Sequence, residues 1–188
     1  MTDAALSLPT LETRRLGWGR MALALVFGVA VLTASSYVQV PMQPVPLTLQ
    51  TLAVTVIGAI YGWRLGTATV LAWLAAAAAG LPVLAGVTHI AAFAGPTAGY
   101  LFAFPFAAAL CGWLAERSWN GQRILLALLS MLAGNLLCLA LGASWLSLSI
   151  GWSAALAAGV MPFLVGAALK SAVGAGIMKA LAYWPKRG

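Results

Sequence analysis

"PMQPVPLTLQ", residues 41–50, is an uncharged decamer with three prolines, and it lies between two long apolar runs. Proline has no backbone N–H to donate and clashes with the preceding helical turn, so it resists helix interiors. The decamer therefore separates an apolar run over residues 21–39 from one that begins near residue 47. We predict that it forms a loop which joins two helices.

The composition of the whole chain is typical of a membrane protein. Of its 188 residues, 63% are hydrophobic and only 7% are charged, and the mean hydropathy is +0.99. An average soluble protein carries about 25% charged residues, so this chain has too little charge to cover a surface in water. A lipid-facing barrel would alternate apolar and polar residues, and the chain does not. We predict an all-α integral membrane protein with a single membrane domain, residues 1–188.

Six apolar segments approach the length of about 20 residues that a helix needs to cross a bilayer. They are residues 21–39, 47–63, 65–81, 98–115, 123–145 and 162–182. The second and third segments are short, and "YGWRLG", residues 61–66, joins them tightly. Proline favours the first turn of a helix, so Pro162 begins the last span. The stretch 151–161 before it is predicted to be a short interfacial helix.

The basic residues are segregated along this pattern. All except Lys170 flank spans on one side: Arg14, Arg15, Arg20, Arg64, Arg117, Arg123, Lys179, Lys186 and Arg187. The opposite connections, 40–46, 82–97 and 146–161, contain no lysine or arginine. The positive-inside rule then places both termini, including residues 1–20, in the cytoplasm. The net charge of +7 is assigned to topology and anionic headgroups, not to nucleic acid.

Lys170 is the one basic residue within a span, eight residues past Pro162 and nine before Lys179. At helical rise it lies roughly 12–13 Å from either position, and a lysine at mid-bilayer costs about 2.5–3.5 kcal/mol. Gly166 and Gly174 share its face, which suits contact with other helices. The functional interpretation is a cation that points into the bundle toward an anionic or carbonyl-bearing ligand. The alternative is that its ammonium group extends to an interface.

Neutral polar residues form a second group of candidates. A threonine stripe runs along the second span: Thr48, Thr51 and Thr55. It either lines a pocket or makes hydrogen bonds between helices. Gln50 follows the proline loop directly and offers both a donor and an acceptor, as does Asn135 in the fifth span. His89, the single histidine, is either an ordinary loop residue or a ligand contact.

No catalytic constellation is evident in the sequence. The three acids, Asp3, Glu12 and Glu116, lie outside the spans, and there are no paired carboxylates, Ser/His/Asp set or metal cluster. Cys111 and Cys138 fall in apolar runs, where cysteine is an ordinary packing residue. We therefore expect no enzyme activity, no cofactor and no metal.

Small residues recur at close intervals in two spans and indicate close helix contacts. They are Gly99, Ala103, Ala107 and Cys111 in the fourth span, and Ala24, Gly28, Ala30 and Ala34 in the first. These contacts are either internal packing or docking to another membrane subunit. The segment "GAALKS", residues 166–171, lacks the glycine spacing of a nucleotide-binding P-loop. Any use of ATP would therefore need a partner subunit.

Three motifs, in order, resemble those of the BioY family: "PMQPVPLTLQTLAV" at 41–54, "GLPVLAG" at 80–86 and "GPTAGYLFAF" at 95–104. That family comprises the biotin-binding membrane subunits, or S components, of energy-coupling factor (ECF) transporters. The resemblance implies an S-component fold of six transmembrane helices in a bacterial or archaeal cytoplasmic membrane. It also implies a biotin site that opens to the exterior, with the loop 40–46 as a lid. The implied partners are a transmembrane T subunit and two ATPase subunits, which would supply any ATP hydrolysis.

The resemblance also implies roles for individual residues. Lys170 matches the family's last-helix lysine and would meet the carboxylate or the ureido oxygen of biotin. The other expected ligand contacts are Gln50, Thr48, Gln43, Thr97, Tyr100, Phe93 and Phe163. His89 or Asn135 is expected to replace a hydrogen-bonding group of the family that this chain lacks. The lid would be stiffened by Pro41, Pro44 and Pro46. The docking face for the T subunit would be formed by Ala24, Gly28, Ala30 and Ala34.

The chain departs from the family pattern at three places near the implied site. Ala167 stands where the family often has an aspartate, Ala98 replaces a glycine of the third motif, and residues 87–94 replace a run of glycines. Two related alternatives are an S component for another vitamin and an oligomeric biotin transporter that works without partners. A structural subunit without a ligand and a stand-alone channel are the alternatives of a different class.

Overall fold

The computed structural model describes residues 17–85 and 90–183. Within these ranges the chain forms six α-helices, one 3-10 turn (Ile90–Phe93) and one two-stranded hairpin. The helices are α1 (Trp18–Tyr37), α2 (Gln50–Ala78), α3 (Ala98–Glu116), α4 (Ile124–Ile150), α5 (Trp152–Gly159) and α6 (Met161–Tyr183). The strands β1 (Gln39–Val40) and β2 (Leu47–Thr48) pair antiparallel, with Gln39 opposite Thr48 and Val40 opposite Leu47.

The outer surface of the bundle is apolar. Among the described residues, five helices (α1, α2, α3, α4 and α6) are long and apolar enough to cross a membrane. Large side chains such as Phe27, Leu125 and Val165 are about two-thirds exposed or more. Such exposure is unfavourable in water but matches lipid tails, which are as apolar as leucine. The prediction of a mostly helical protein with several membrane spans is confirmed.

Helix α2 reverses its direction at Gly62, where φ is 76° and ψ is 170°. This backbone conformation is essentially restricted to glycine. A Cβ built on Gly66 would lie 2.8 Å from the Cα of Gly58, although eight residues of continuous helix would separate the two positions by about 12 Å. The arms 50–61 and 63–78 therefore pack side by side as a helical hairpin.

The end of α3 stabilises this reversal. Glu116 Oε1 accepts a hydrogen bond from the backbone N–H of Trp63 at 3.1 Å, and a carboxylate is favourable at the N-terminus of a helix. One turn earlier, Gly112 lets the two backbones approach, because a Cβ there would lie 2.7 Å from the Cα of Trp63. The acid that the sequence placed outside the spans therefore caps the second arm of α2.

One end of the bundle carries the basic residues. The Tyr61 hydroxyl donates to the Ala24 carbonyl at 2.8 Å and brings the first turns of α1 to the Gly62 turn. A Cβ on Gly121 would lie 2.8 Å from the Lys179 backbone nitrogen, so the α3–α4 connection meets the end of α6. The described basic residues at this end are Arg20, Arg64, Arg117, Arg123 and Lys179. Arg14, Arg15, Lys186 and Arg187 lie outside the described residues.

The segments at the opposite end are packed onto the helices. The Val83 carbonyl accepts hydrogen bonds from Ser36 Oγ and Trp73 Nε1, both at 3.1 Å. The Gly95 carbonyl accepts another from Trp145 Nε1 at 3.1 Å. The described parts of the connection between α2 and α3 are therefore held by side chains of α1, α2 and α4.

Element boundaries differ from the sequence expectation around the proline decamer. Helix α1 ends at Tyr37 and α2 begins at Gln50, whereas the predicted spans end at 39 and begin at 47. Leu47 and Thr48 are extended, and the Leu49 N–H donates to the Val38 carbonyl at 3.1 Å. The prolines cannot donate such bonds, and the pairing with the chain that leaves α1 is accordingly found after the last proline, at residues 47–49.

Smaller differences occur at other helix ends. The second arm of α2 ends at Ala78, before the expected residue 81, and α4 continues to Ile150, past the expected residue 145. Gly151, with φ at 82°, ends α4 and precedes α5. Helix α5 occupies the stretch for which a short interfacial helix was predicted, and α6 begins at Met161.

We expect Gly62→Ala to destabilise the protein by about 1–3 kcal/mol, because a side chain is strained at this φ and ψ. The added Cβ would also lie 2.6 Å from Glu116 Oε1. The measurement is the unfolding midpoint of purified protein in detergent, followed by tryptophan fluorescence. Gly176→Ala is the matched control, since a Cβ there meets nothing within 4 Å. Equal midpoints for the two variants would contradict the importance of the turn.

Candidate ligand-binding site

A cavity lies at the end of the bundle away from the basic residues, beneath the lid hairpin (residues 39–48). It holds about 60 Å³ of space that the centre of a water molecule can reach. Its lining residues are Val45, Pro46, Thr48, Gln50, Thr51, Thr97, Tyr100, Leu101, Phe104, Asn135, Cys138, Leu139, Phe163, Ala167 and Lys170. The wall is mostly apolar with a few polar groups, which is typical of small-molecule sites.

Lys170 supplies the only charge among these lining residues. Its Nζ donates to the backbone carbonyl of Thr48 at 3.2 Å, across the gap between α6 and β2. The ammonium group is therefore held by a neutral acceptor, with no carboxylate in the cavity wall. A charge in such surroundings favours an anionic or strongly polar ligand group.

Thr48 also orients Gln50 at the first turn of α2. The Thr48 hydroxyl donates to Gln50 Oε1 at 2.9 Å, and the Gln50 backbone N–H donates back to Thr48 Oγ1 at 3.3 Å. The first bond uses one of the two lone pairs of Gln50 Oε1, so Nε2 and the second lone pair are left for a ligand. Both side chains are positioned by a local turn that follows directly from the end of β2.

Asn135 is a fixed polar group in the wall that α4 contributes. Its side chain is 2% exposed, and its Nδ2 donates to the Met131 carbonyl at 3.0 Å and to Ser171 Oγ at 3.2 Å. Ser171 in turn donates to the Ala167 carbonyl at 2.7 Å. Both amide hydrogens of Asn135 are thus used, and Oδ1 remains as an acceptor that a ligand N–H can reach.

Thr51 is a lining residue that the predicted site does not include. Its hydroxyl oxygen is buried without a hydrogen-bond partner in the described structure. A buried hydroxyl without a partner is unfavourable by about 1–3 kcal/mol, so a ligand that bonds to it recovers that energy. The threonine stripe of the sequence contained this signal, but it did not separate Thr51 from Thr55, whose hydroxyl is satisfied by the carbonyls of Thr51 and Leu52.

Aromatic rings form the apolar part of the cavity. The Tyr100 and Phe163 rings lie 6.4 Å apart between centroids, and the Tyr100 hydroxyl donates to the Gly159 carbonyl at 2.8 Å. Tyr100 therefore offers its ring rather than its hydroxyl. Phe104 lines the cavity and stacks on the buried Trp73 at 6.1 Å. Phe104, Leu101 and Leu139 were not predicted as contacts, because apolar residues that line a cavity have no sequence signature apart from packing.

The structure separates some of the predicted residues from this cavity. Gln43 and Pro41 are exposed in the loop of the lid hairpin, and Pro44 is half-buried outside the lining. Phe93 packs against Phe102 at 5.9 Å between ring centroids. His89 lies outside the described residues. The residues that the structure does bring together from the predicted set are Lys170, Gln50, Thr48, Thr97, Tyr100, Phe163, Asn135 and Pro46.

The predicted docking residues of α1 divide into two groups. Gly28 is buried inside the chain, where a Cβ would lie 2.6 Å from Thr69 Cγ2, and Ala24 accepts the Tyr61 hydroxyl. Gly28 therefore serves internal packing, whereas Ala24 is half-buried, and a docking role for this helix stays a prediction. Ala30 and Ala34 are exposed. The four small residues of α3 named from the sequence are buried, which assigns that set to internal packing.

A second, outward-facing groove lies between the lid hairpin and α6. It encloses about 290 Å³ and is lined by Val38, Gln39, Val40, Leu47, Thr48, Leu49, Gly166, Leu169 and Lys170. Thr48 and Lys170 line both the groove and the cavity, so the contact between them separates the two spaces. Leu47 lies against Gly166, where a Cβ would be 3.2 Å from its Cδ1. No group of three metal-ligating side chains occurs among the residues that the structure describes.

Comparison with known proteins identifies close relatives. The model of the BioY family matches residues 7–187. The "Probable biotin transporter BioY" of Pyrococcus horikoshii is 35% identical over 145 residues, which cover 77% of this chain and 85% of that protein. The "Biotin transporter BioY2" of Lactococcus lactis is 31% identical over 169 residues, which cover 86% of this chain and 92% of that protein.

The arrangement of helices is also similar to a solved structure. The crystal structure of the S-component for biotin from an ECF-type ABC transporter superposes with a TM-score of 0.80 at 27% sequence identity. The superposition covers 90% of this chain and 96% of that chain. This similarity extends over nearly the whole chain.

We expect Thr51→Val to leave the unfolding midpoint of the empty protein unchanged or to raise it, because the substitution removes a buried hydroxyl without a partner. Thr55→Val is the matched control one turn away. It removes a satisfied hydroxyl and should lower stability by about 1 kcal/mol. Both midpoints are measured in detergent without ligand. A larger loss for Thr51→Val than for Thr55→Val would show that the Thr51 hydroxyl is bonded in the empty protein.

Proposed function

This chain belongs to the BioY family, and we propose from this membership that it captures biotin from the external side and carries it across the cytoplasmic membrane. In this proposal it is the substrate-binding subunit of an ECF-type ABC transporter. The observation that carries the proposal is the charge of Lys170 in the wall of an otherwise uncharged cavity beneath the lid hairpin. Biotin has a carboxylate, a ureido group and an apolar ring pair, and the cavity offers a complement to each.

The proposed contacts assign each part of biotin to groups that are already oriented. Lys170 Nζ donates to one of the two strong acceptors of biotin, the carboxylate or the ureido oxygen. Asn135 Oδ1 and the Thr51 hydroxyl offer acceptors for N–H groups, and Gln50 Nε2 offers a donor. Tyr100 and Phe163 pack against the rings or the aliphatic chain. Thr97 adds a further hydroxyl to the lining.

The proposed topology has six membrane spans with both termini in the cytoplasm. The two arms of α2 count as separate spans because the chain reverses at Gly62. The five basic residues at one end of the described bundle support a cytoplasmic position for that end. The cavity and the lid hairpin then face the exterior, where the ligand is captured.

The proposed energy source is a partner assembly with one T subunit and two ATPase subunits. The ATPase subunits would supply the ATP hydrolysis. Ala30 and Ala34 are exposed on α1 and support a docking face there, because small residues allow close helix contact in membranes. Uptake of labelled biotin into proteoliposomes, with and without the partners, tests this dependence. Uptake by the chain alone would favour the oligomeric, partner-independent alternative.

The identity of the ligand is tested by mass spectrometry of small molecules that remain bound during gentle purification. We expect biotin, and we expect unlabelled biotin to displace labelled biotin from the purified protein far more effectively than other vitamins do. Displacement by another vitamin at lower concentration would indicate an S component for that vitamin. The absence of any bound small molecule would favour a structural subunit.

We expect Lys170→Ala to weaken biotin binding by about tenfold to a hundredfold in a calorimetric titration, because a hydrogen bond from a charged donor is lost. Lys179→Ala is the matched control, since Lys179 lies on the same helix at the opposite end of the bundle. Unchanged affinity in Lys170→Ala would remove this residue from the site. Affinity reduced equally in both variants would point to a general effect of charge.

The biotin methyl ester identifies the group that Lys170 meets. If Lys170 bonds to the carboxylate, the ester should bind the unmodified protein more weakly than biotin does, and Lys170→Ala should bind both ligands equally. If Lys170 bonds to the ureido oxygen, the variant should lose the same factor for the ester as for biotin. The same titrations therefore separate the two poses.

A further inference from the structure

Two tryptophan–arginine pairs occupy the basic end of the bundle, away from the cavity. The Arg64 guanidinium lies 4.6 Å from the centroid of the Trp63 ring, and the Arg117 guanidinium lies 3.7 Å from that of Trp113. The indole rings are 39% and 44% exposed, and both arginines are exposed. Each pair therefore presents a cation that is stacked on an aromatic ring at the protein surface.

The two pairs belong to one structural unit. Trp63 follows the Gly62 turn, and its backbone N–H donates to Glu116, which immediately precedes Arg117. The backbones of Gly112 and Trp63 are in direct contact at this junction. Trp113 is the next residue after Gly112, so both pairs lie beside the close crossing of α2 and α3.

The charges of the two arginines remain available to a ligand. A cation–π contact uses the face of the guanidinium and leaves N–H groups at its edge. Arg117 donates through Nη1 to the Trp113 carbonyl at 3.3 Å, which leaves its other nitrogens as donors. The nearby negative charge of Glu116 is directed to the N-terminus of the 63–78 arm, where the helix dipole offsets it.

We propose that the Trp63–Arg64 and Trp113–Arg117 pairs bind the phosphate headgroup of an anionic phospholipid. Tryptophan is enriched at the headgroup level of membranes, so the exposed indole rings place the arginines at the depth of lipid phosphates. The planar guanidinium group matches phosphate oxygens and can bond to two of them at once. The exposed apolar surface of the bundle accommodates the acyl chains. This site is separate from the ligand cavity, and its function does not depend on the identity of the ligand.

The test measures retention of lipids by native mass spectrometry of the purified full chain, mixed with equal amounts of phosphatidylglycerol and phosphatidylcholine. We expect the unmodified protein to retain phosphatidylglycerol with a preference of about tenfold or more. The double variant Arg64→Gln/Arg117→Gln should lose most of this preference. The matched control, Arg123→Gln/Lys179→Gln, removes the same charge from the same end of the bundle and should keep it.

Additional variants separate the paired geometry from charge alone. Arg64→Lys/Arg117→Lys keeps the charge but lacks the planar guanidinium, and it should retain phosphatidylglycerol several-fold less well than the unmodified protein does. Because it is a mild change, it also tests the proposal if the glutamine variant does not fold. Its lipid preference is compared only for samples that elute as a single folded species.

Three results would overturn the proposal. The first is equal retention of the two lipids by the unmodified protein. The second is an equal loss in the Arg123→Gln/Lys179→Gln control, which would reduce the effect to net charge. The third is full displacement of the lipid by inorganic phosphate at millimolar concentration, which would identify a site for a free anion.

Discussion

The backbone of Gly62 takes a conformation that residues with a side chain rarely adopt, and the positions of the surrounding helices depend on it. Because α2 folds back at this point, its two arms bring their outer ends to the same side of the bundle. Gln50 and Thr51 therefore come to lie beside the first turns of α3, whereas Trp63 remains at the basic end. The capping bond from Trp63 to Glu116 then fixes α3 against the turn. The turn at Gly62 thus lies at the basic end of the bundle, and both arms of α2 run from it toward the end that contains the cavity.

The polar groups of the cavity are oriented before any ligand arrives. Asn135 is held by Met131 and Ser171, and Gln50 is held by Thr48. A ligand that bonds to groups fixed in this way spends little free energy on ordering them. The aromatic side is fixed in the same manner, because the Tyr100 hydroxyl is tied to Gly159. The cavity therefore combines a fixed wall, built by α3, α4 and α6, with a lid hairpin that is joined to α6 by the bond between Lys170 and Thr48 and to the core by Val45.

The sequence predicted those features that depend on rare residues. Few physical explanations exist for a lysine within an apolar span, for prolines between two spans or for arginines on alternate connections. Lys170 and the segregation of charge can therefore be identified from the sequence. Features that depend on pairing between distant residues are harder to predict from the sequence. The strand at Leu47 and Thr48 forms only because residues 39–40 lie opposite. Small residues in α1 were ambiguous for another reason, since Gly28 and Ala30 look equivalent until the position of Thr69 is known.

The contact between Lys170 and Thr48 joins α6 to the lid hairpin at the boundary of the cavity. The ammonium group carries three hydrogens and donates one of them to the Thr48 carbonyl. Donor positions therefore remain for a ligand acceptor while the bond to the strand is kept. Thr48 and Lys170 also line both the cavity and the outer groove. A ligand and the lid hairpin would then bond to the same ammonium group, so occupancy of the cavity and attachment of the lid hairpin to α6 are thermodynamically linked.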